Sequence, residues 1–133
     1  MTVVNHPEPG TIVRVDLNEG FRAPEMTKRR PSVVLSPSQP GRSGLCTIVP
    51  LSTTRPRILL PHHLEIELEP PLPHPYSERV MWLKGDIVLT VAFHRLRLLF
   101  DRWEGGQRVY DVRVLDPDVL AKIRTCVRHG LGL

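Results

Sequence analysis

Hydrophobic and polar residues alternate along most of this chain with the two-residue period of β-strands. Gly10 opens a first segment, Thr11 to Leu17, with Val13, Val15 and Leu17 on one face and Arg14 and Asp16 on the other. A second runs from Ser32 to Ser36. Its unbroken Val33-Val34-Leu35 implies burial on both faces, and Pro31 stands at its entry, where a strand tolerates proline. Leu45 to Ser52 is a third, in which Pro50 marks a bulge or an edge position. From His63 to Glu69 the glutamates at 65, 67 and 69 face away from Leu64, Ile66 and Leu68. Val80 to Val91 reads as strand on either side of a Lys84-Gly85-Asp86 kink, and Phe93 to Phe100 as a short helix or a strand. Gly105-Gly106 then makes a hairpin turn into Arg108 to Leu115.

The last element has the period of a helix. Asp116 is placed to cap it, Pro117 occupies its first position, and Val119, Leu120, Ile123 and Val127 form an apolar stripe that Gly130 terminates. Asn18 to Lys28 and Pro37 to Gly44 carry turn chemistry, and the prolines at 70, 71, 73 and 75 form a stiff connector. About seven short strands and one terminal helix, with no βαβ alternation, predict a mainly β fold, a small antiparallel barrel with a C-terminal α-helix. The 133 residues are expected to form one domain, 1–133.

Composition narrows the function classes. With 41% hydrophobic and 24% charged residues the chain is globular, and no apolar run approaches a membrane span. The start, Met1-Thr-Val-Val-Asn-His-Pro7, has no basic or apolar leader region, and two cysteines far apart form neither a disulfide framework nor a zinc site. A cytoplasmic protein is expected. His62, His63 and His74 do not make a metal set, because adjacent strand residues point to opposite faces, and no metal or other cofactor is expected.

Charge is unevenly distributed. Between Met26 and Leu64 there is no Asp or Glu, while Lys28, Arg29, Arg30, Arg42, Arg55 and Arg57 all fall there. The net charge of +4 therefore comes from this stretch, the footprint expected for a polyanion such as nucleic acid. No aromatic residue lies within it, which argues against a base-stacking platform there.

Several fragments in order, Gly10-Thr-Ile-Val-Arg-Val-Asp16, Glu25-Met-Thr-Lys-Arg-Arg-Pro31, Val33-Val-Leu-Ser-Pro37, Thr47-Ile-Val-Pro-Leu-Ser-Thr53 and Trp82-Leu-Lys-Gly-Asp-Ile-Val88, resemble the PemK/MazF family of type II toxin–antitoxin toxins. Arg95-Leu96 and the terminal helix extend the resemblance over nearly the whole chain, and the proline-rich piece resembles a PemK-like subgroup. The resemblance implies an SH3-like barrel and a homodimer that cleaves single-stranded RNA without metal and is inhibited by a small antitoxin. It implies that Arg30 and Thr53 carry the chemistry, with Glu25, Ser52, Thr54 and Arg95 beside them, and Lys28, Arg29 and Arg55 of the acid-free stretch are expected to contact the RNA as well. Met26 stands where many relatives have glutamine.

Metal-free RNA cleavage uses the RNA's own 2′-hydroxyl as nucleophile, so the protein aligns it, moves protons and stabilises charge on the phosphoryl oxygens. Arg30 stays protonated and suits the phosphate, and the Thr53 hydroxyl suits a non-bridging oxygen or the 2′-hydroxyl. The proton acceptor is open among Glu25, His62, His63 and His94. Base selection is expected from the loops Asn18 to Lys28 and Pro37 to Gly44. Two other readings are a PemK-like module that binds RNA or protein without cutting, and a CcdB-like gyrase poison. Against the second, the chain ends Gly130-Leu-Gly-Leu133 without the Trp-Gly-Ile type of tail.

Overall fold

A computed structural model describes residues 1–133. Ten strands, one 3₁₀ turn and one α-helix follow in chain order: β1 Thr11–Asp16, β2 Arg29–Val34, β3 Leu45–Ser52, β4 His63–Glu67, β5 Val80–Lys84, β6 Leu89–Ala92, the turn Phe93–Arg95, β7 Leu96–Arg97, β8 Leu99–Glu104, β9 Gln107–Asp111, β10 Arg113–Val114 and α1 Pro117–Leu131. Eight strands make one antiparallel sheet in the order β10-β1-β2-β3-β5-β4, with β6 on β3 and β7 on β1. The mainly β expectation with a C-terminal helix holds.

The sheet curls because two strands change neighbours part-way along. β3 pairs with β6 through Leu45 to Ile48 and with β5 through Leu51 and Ser52. β1 likewise pairs with β10 at Thr11 and Ile12, then with β7 at Arg14 and Val15. Pro50 is thus neither at an edge nor at a bulge. It lies where β3 passes from one partner to the next, and there a missing N–H breaks no ladder on that side.

Both faces of the curled sheet are buried, and strand parity sorts the side chains between two cores. Ile12, Val33, Val49 and Leu51 pack with Ile123, Cys126 and Val127 of α1, whereas Val13, Val15, Leu17, Val34, Cys46 and Ile48 pack on the other side with Val91 and Leu96. The expected common face of Val13, Val15 and Leu17, and the two-sided burial of Val33-Val34, are both present. Each such side chain contributes about 1.5–3 kcal/mol by leaving water.

Three local expectations are corrected. β2 begins three residues earlier than expected, at Arg29, because Asp16↔Arg29 and Val15↔Arg30 extend its pairing with β1. Gly130 does not end α1. The helix runs to Leu131 and closes on Gly132, whose φ of 71° is the left-handed value a helix end favours. Asp116 occupies the N-cap position without a side-chain capping bond.

β8 and β9 form a separate two-stranded hairpin outside the main ladder. Its turn has Gly105 at φ 58° and Gly106 at φ 78°, the twist that joins two right-handed strands. The expected strand from Arg108 to Leu115 is therefore split, β9 staying in the hairpin and β10 returning to β1.

Candidate active site

The β2–β3 ladder stops early, and the opening it leaves is the candidate site. Pairing runs through Val34↔Ile48 and Val33↔Val49 and ends at Ser32↔Pro50. The next position of β2 that would donate to β3 is Pro31, which has no N–H, so the ladder does not continue. Arg29 and Arg30 on one strand and Ser52 on the other are left without each other's backbone bonds. The chain then turns away through Thr53 and Thr54.

A cleft of about 310 Å³ fills this gap. Lys28, Arg29 and Arg30 line one wall and Ser52, Thr53 and Thr54 the other, so six of the nine predicted site residues come together. No carboxylate lines it. Lys28 holds a φ of 75°, a conformation non-glycine residues rarely adopt, and its carbonyl accepts from the Leu17 N–H at 2.9 Å. That kink redirects the loop into β2 at the mouth of the cleft.

Arg30 is half-buried, and its Nε donates to the Thr27 carbonyl at 2.7 Å. One edge of the guanidinium is thereby anchored to the protein, and no carboxylate pairs with it. Arg29 on the opposite side of the strand is exposed and pairs with Asp16 at 3.1 Å. The carboxyl of Asp16 is held below its usual range, first by the Asn18 N–H and then, against some burial, by Arg29. Ser52 is buried, and its Oγ accepts from the Thr54 N–H at 3.1 Å, which pins the turn and leaves Thr53 exposed.

Three predicted residues lie elsewhere. Glu25 turns back on its own loop, accepting from the Arg22 N–H at 3.3 Å. Arg55 lies over the Trp82 ring at 5.7 Å. Arg95 donates to the carbonyls of Asp16 and Glu19 at 3.1 and 2.9 Å and covers the Phe21 ring at 5.0 Å. Its guanidinium is spent on holding the start of the Asn18–Lys28 loop. None of the candidate proton acceptors Glu25, His62, His63 and His94 lines the cleft. His62 instead meets Asp86 at 3.5 Å.

Tyr76 and Pro75 complete the cleft, and pattern reading missed them. Tyr76 arrives from the proline-rich connector, which is not a loose tether. Leu72 is buried in the helix-side core, the Leu68 N–H bonds the Arg79 carbonyl at 2.7 Å, and Arg113 donates to the Pro70 carbonyl. Burial raises the Tyr76 pKa despite the opposing pull of Arg14 and Arg29, so the phenol is a donor through the neutral range. The only local signal for it was a tyrosine directly after four closely spaced prolines.

Residues 8–131 match the family described as the PemK-like, MazF-like toxins of type II toxin–antitoxin systems. The chain belongs to this family. The YifN protein of Escherichia coli K12 is 33% identical over 81 residues, which are 59% of this chain and 53% of YifN, so the match spans about half of that relative. Among solved structures, a mycobacterial endoribonuclease in complex with its cognate antitoxin superposes with a TM-score of 0.63 at 21% identity, covering 96% of each chain. MazF from Deinococcus radiodurans gives 0.62 at 22%, covering 97% of this chain and 99% of its own. These likenesses show that the PemK/MazF fold is the one described above. No helix of the chain is long and apolar enough to cross a membrane.

Proposed function

We propose that this PemK-like toxin is an endoribonuclease that cuts single-stranded RNA without requiring a metal ion. The observation that carries the reading is the meeting of Arg30 and Thr53 across one carboxylate-free cleft. With Nε fixed on Thr27, the terminal nitrogens of Arg30 are the part of the fork left for two phosphoryl oxygens. The Thr53 hydroxyl is exposed on the facing wall, within the same cleft, to bind a non-bridging oxygen or the 2′-hydroxyl. The 2′-oxygen attacks the adjacent phosphorus and gives up its proton to solvent water, and the bond to the 5′-oxygen breaks as that oxygen takes a proton from water. The products are a 2′,3′-cyclic phosphate and a 5′-hydroxyl. Lys28 and Arg29 add positive potential, and the Tyr76 phenol is a further donor to the phosphate.

The same reading has the toxin acting in the cytoplasm as a homodimer and held inactive by a small antitoxin. Family membership and the mycobacterial relative's complex with its antitoxin support the antitoxin part. The test is cleavage of an end-labelled, mixed-sequence RNA in EDTA by wild type, Arg30→Ala and Thr53→Ala. Discrete cuts ending in cyclic phosphate, lost in both variants, are expected. Intact RNA with folded wild type overturns the reading.

A further inference from the structure

A second groove opens beside the cleft and is continuous with it. Its volume is about 440 Å³, and it shares Arg29, Pro75 and Tyr76 with the cleft wall. Arg14, Arg97 and Arg108 add to Arg29, giving four guanidiniums from β1, β2, β7 and β9, and no Asp or Glu lines the groove. The Met1 ammonium also borders it, and its pKa is held below the ordinary value by burial and by the fields of Arg97, Arg108 and Arg14. Gathering like charges around one depression costs energy that an anion would recover. The Nε of Arg14 is buried without any hydrogen-bond partner, although buried polar atoms are normally satisfied.

The groove's far end is aromatic. Phe100 and Tyr110 face each other across the β8–β9 hairpin, edge to face at 6.3 Å, and both line the groove. Arg108 sits over the Phe100 ring at 5.9 Å and over the exposed Trp103 ring at 5.2 Å. Arginines that follow a backbone, ending on exposed aromatic rings, are what an unstructured nucleic-acid strand requires: charge for its phosphates and flat faces for its bases. The acid-free stretch around Arg30 contains no aromatic residue, so stacking is supplied from this later hairpin.

We propose that this groove is the track for the RNA segment that flanks the scissile phosphate, with Arg14, Arg97 and Arg108 on successive phosphates and the hairpin rings stacking an unpaired base. The proposal rests on the endoribonuclease reading and deepens it by making the substrate an extended strand rather than a short motif. An acidic protein segment is the competing occupant. Its lack of flat bases leaves the Phe100, Tyr110 and Trp103 cluster unexplained.

The test measures anisotropy of fluorescein-labelled, 2′-O-methyl RNAs of about 14 and about 5 nucleotides, the shorter spanning the cleft alone, over a range of salt. Wild type is expected to prefer the long RNA, and Arg97→Ala/Arg108→Ala to lose that preference by about tenfold or more. The slope of log affinity against log salt for the long RNA is expected to fall by about 1.4, at ~0.7 per phosphate contact on a single strand. Arg97→Lys/Arg108→Lys keeps the charge and is expected to keep most of the slope, which separates lost contacts from a damaged fold. A length preference and slope unchanged in the alanine variant overturn the groove while leaving cleavage at Arg30 intact. Wild type that binds neither 2′-O-methyl RNA and leaves the unmodified mixed-sequence RNA uncut overturns both proposals. Loss of binding to an acidic antitoxin peptide, with long-RNA binding retained, assigns the groove to protein and overturns the RNA track.

Discussion

Gly130 of α1 and Asp86 of the β5–β6 turn lie backbone against backbone: a Cβ at Gly130 would meet the Asp86 nitrogen at 2.5 Å and the Gly85 carbonyl carbon at 2.6 Å. Gly85 answers from the other side, where a Cβ would run into the Cys126 carbonyl oxygen. The two glycines let the helix close over the turn and seal the core formed with Ile123, Cys126 and Val127.

Alanine at either position is therefore expected to destabilise the fold. In a free helical site Gly→Ala gains about 1 kcal/mol. Gly130→Ala is expected to lose about 1–3 kcal/mol instead, because rigid backbone must shift. Urea unfolding followed by circular dichroism measures the sign, and a stabilised variant would refute the close packing.

Arg30→Ala is expected to lower kcat by about 10²-fold or more, the usual effect of removing one donor to a developing anion. Arg30→Lys is expected to restore little, since an ammonium replaces a fork anchored at Thr27. Single-turnover cleavage of end-labelled RNA gives the comparison, with thermal melts confirming that both variants fold.

Ser52 and Thr53 are neighbours whose variants are expected to differ in kind. Ser52→Ala removes the buried acceptor of the Thr54 N–H and is expected to cost about 1 kcal/mol of stability. Exposed Thr53→Ala is expected to change stability by less than about 0.5 kcal/mol. Its cleavage rate is nonetheless expected to fall by about 10²-fold. Melts and rates on the same preparations separate the two effects.

The depressed pKa of Asp16 predicts an acid-side dependence. A carboxyl titrating lower in the folded than in the unfolded chain favours folding above its unfolded value of about 3.9, and that contribution is lost as pH falls through the folded value. Stability is thus expected to drop below about pH 4, and Asp16→Asn to flatten this part of the profile. Urea melts between about pH 2.5 and 6 measure it. An identical acid limb in the variant would remove Asp16 from the account.

Burial pushes the Cys46 thiol up to about 11, so at pH 8 only about a thousandth of it is thiolate. Ellman's reagent is expected to modify Cys46 only on unfolding, with a rate that follows urea concentration. Rapid reaction in native buffer would contradict its place in the core.

Elements were legible in this sequence wherever a local rule governed them. Strand period set β1, β3 and β4, Gly105-Gly106 set the hairpin turn, and Pro117 set the start of α1. Arg30, Thr53 and the residues beside them stood out because they lie in one acid-free stretch matching a family pattern. Long-range approach decided the rest. Gly130 reads as a helix stop until the β5–β6 turn is packed against it, and Pro50 reads as an edge residue until β3 is seen to change partners. Arg95 reads as an RNA contact until the carbonyls of Asp16 and Glu19 claim it. Tyr76 enters the cleft only because Leu72 and Arg113 hold its connector in place. By itself the sequence determined which segments extend, which one coils, and which side chains suit phosphate, since these depend on neighbours in the chain. Only the tertiary structure decided which of those side chains meet, because that depends on where a ladder ends and on which backbones can touch.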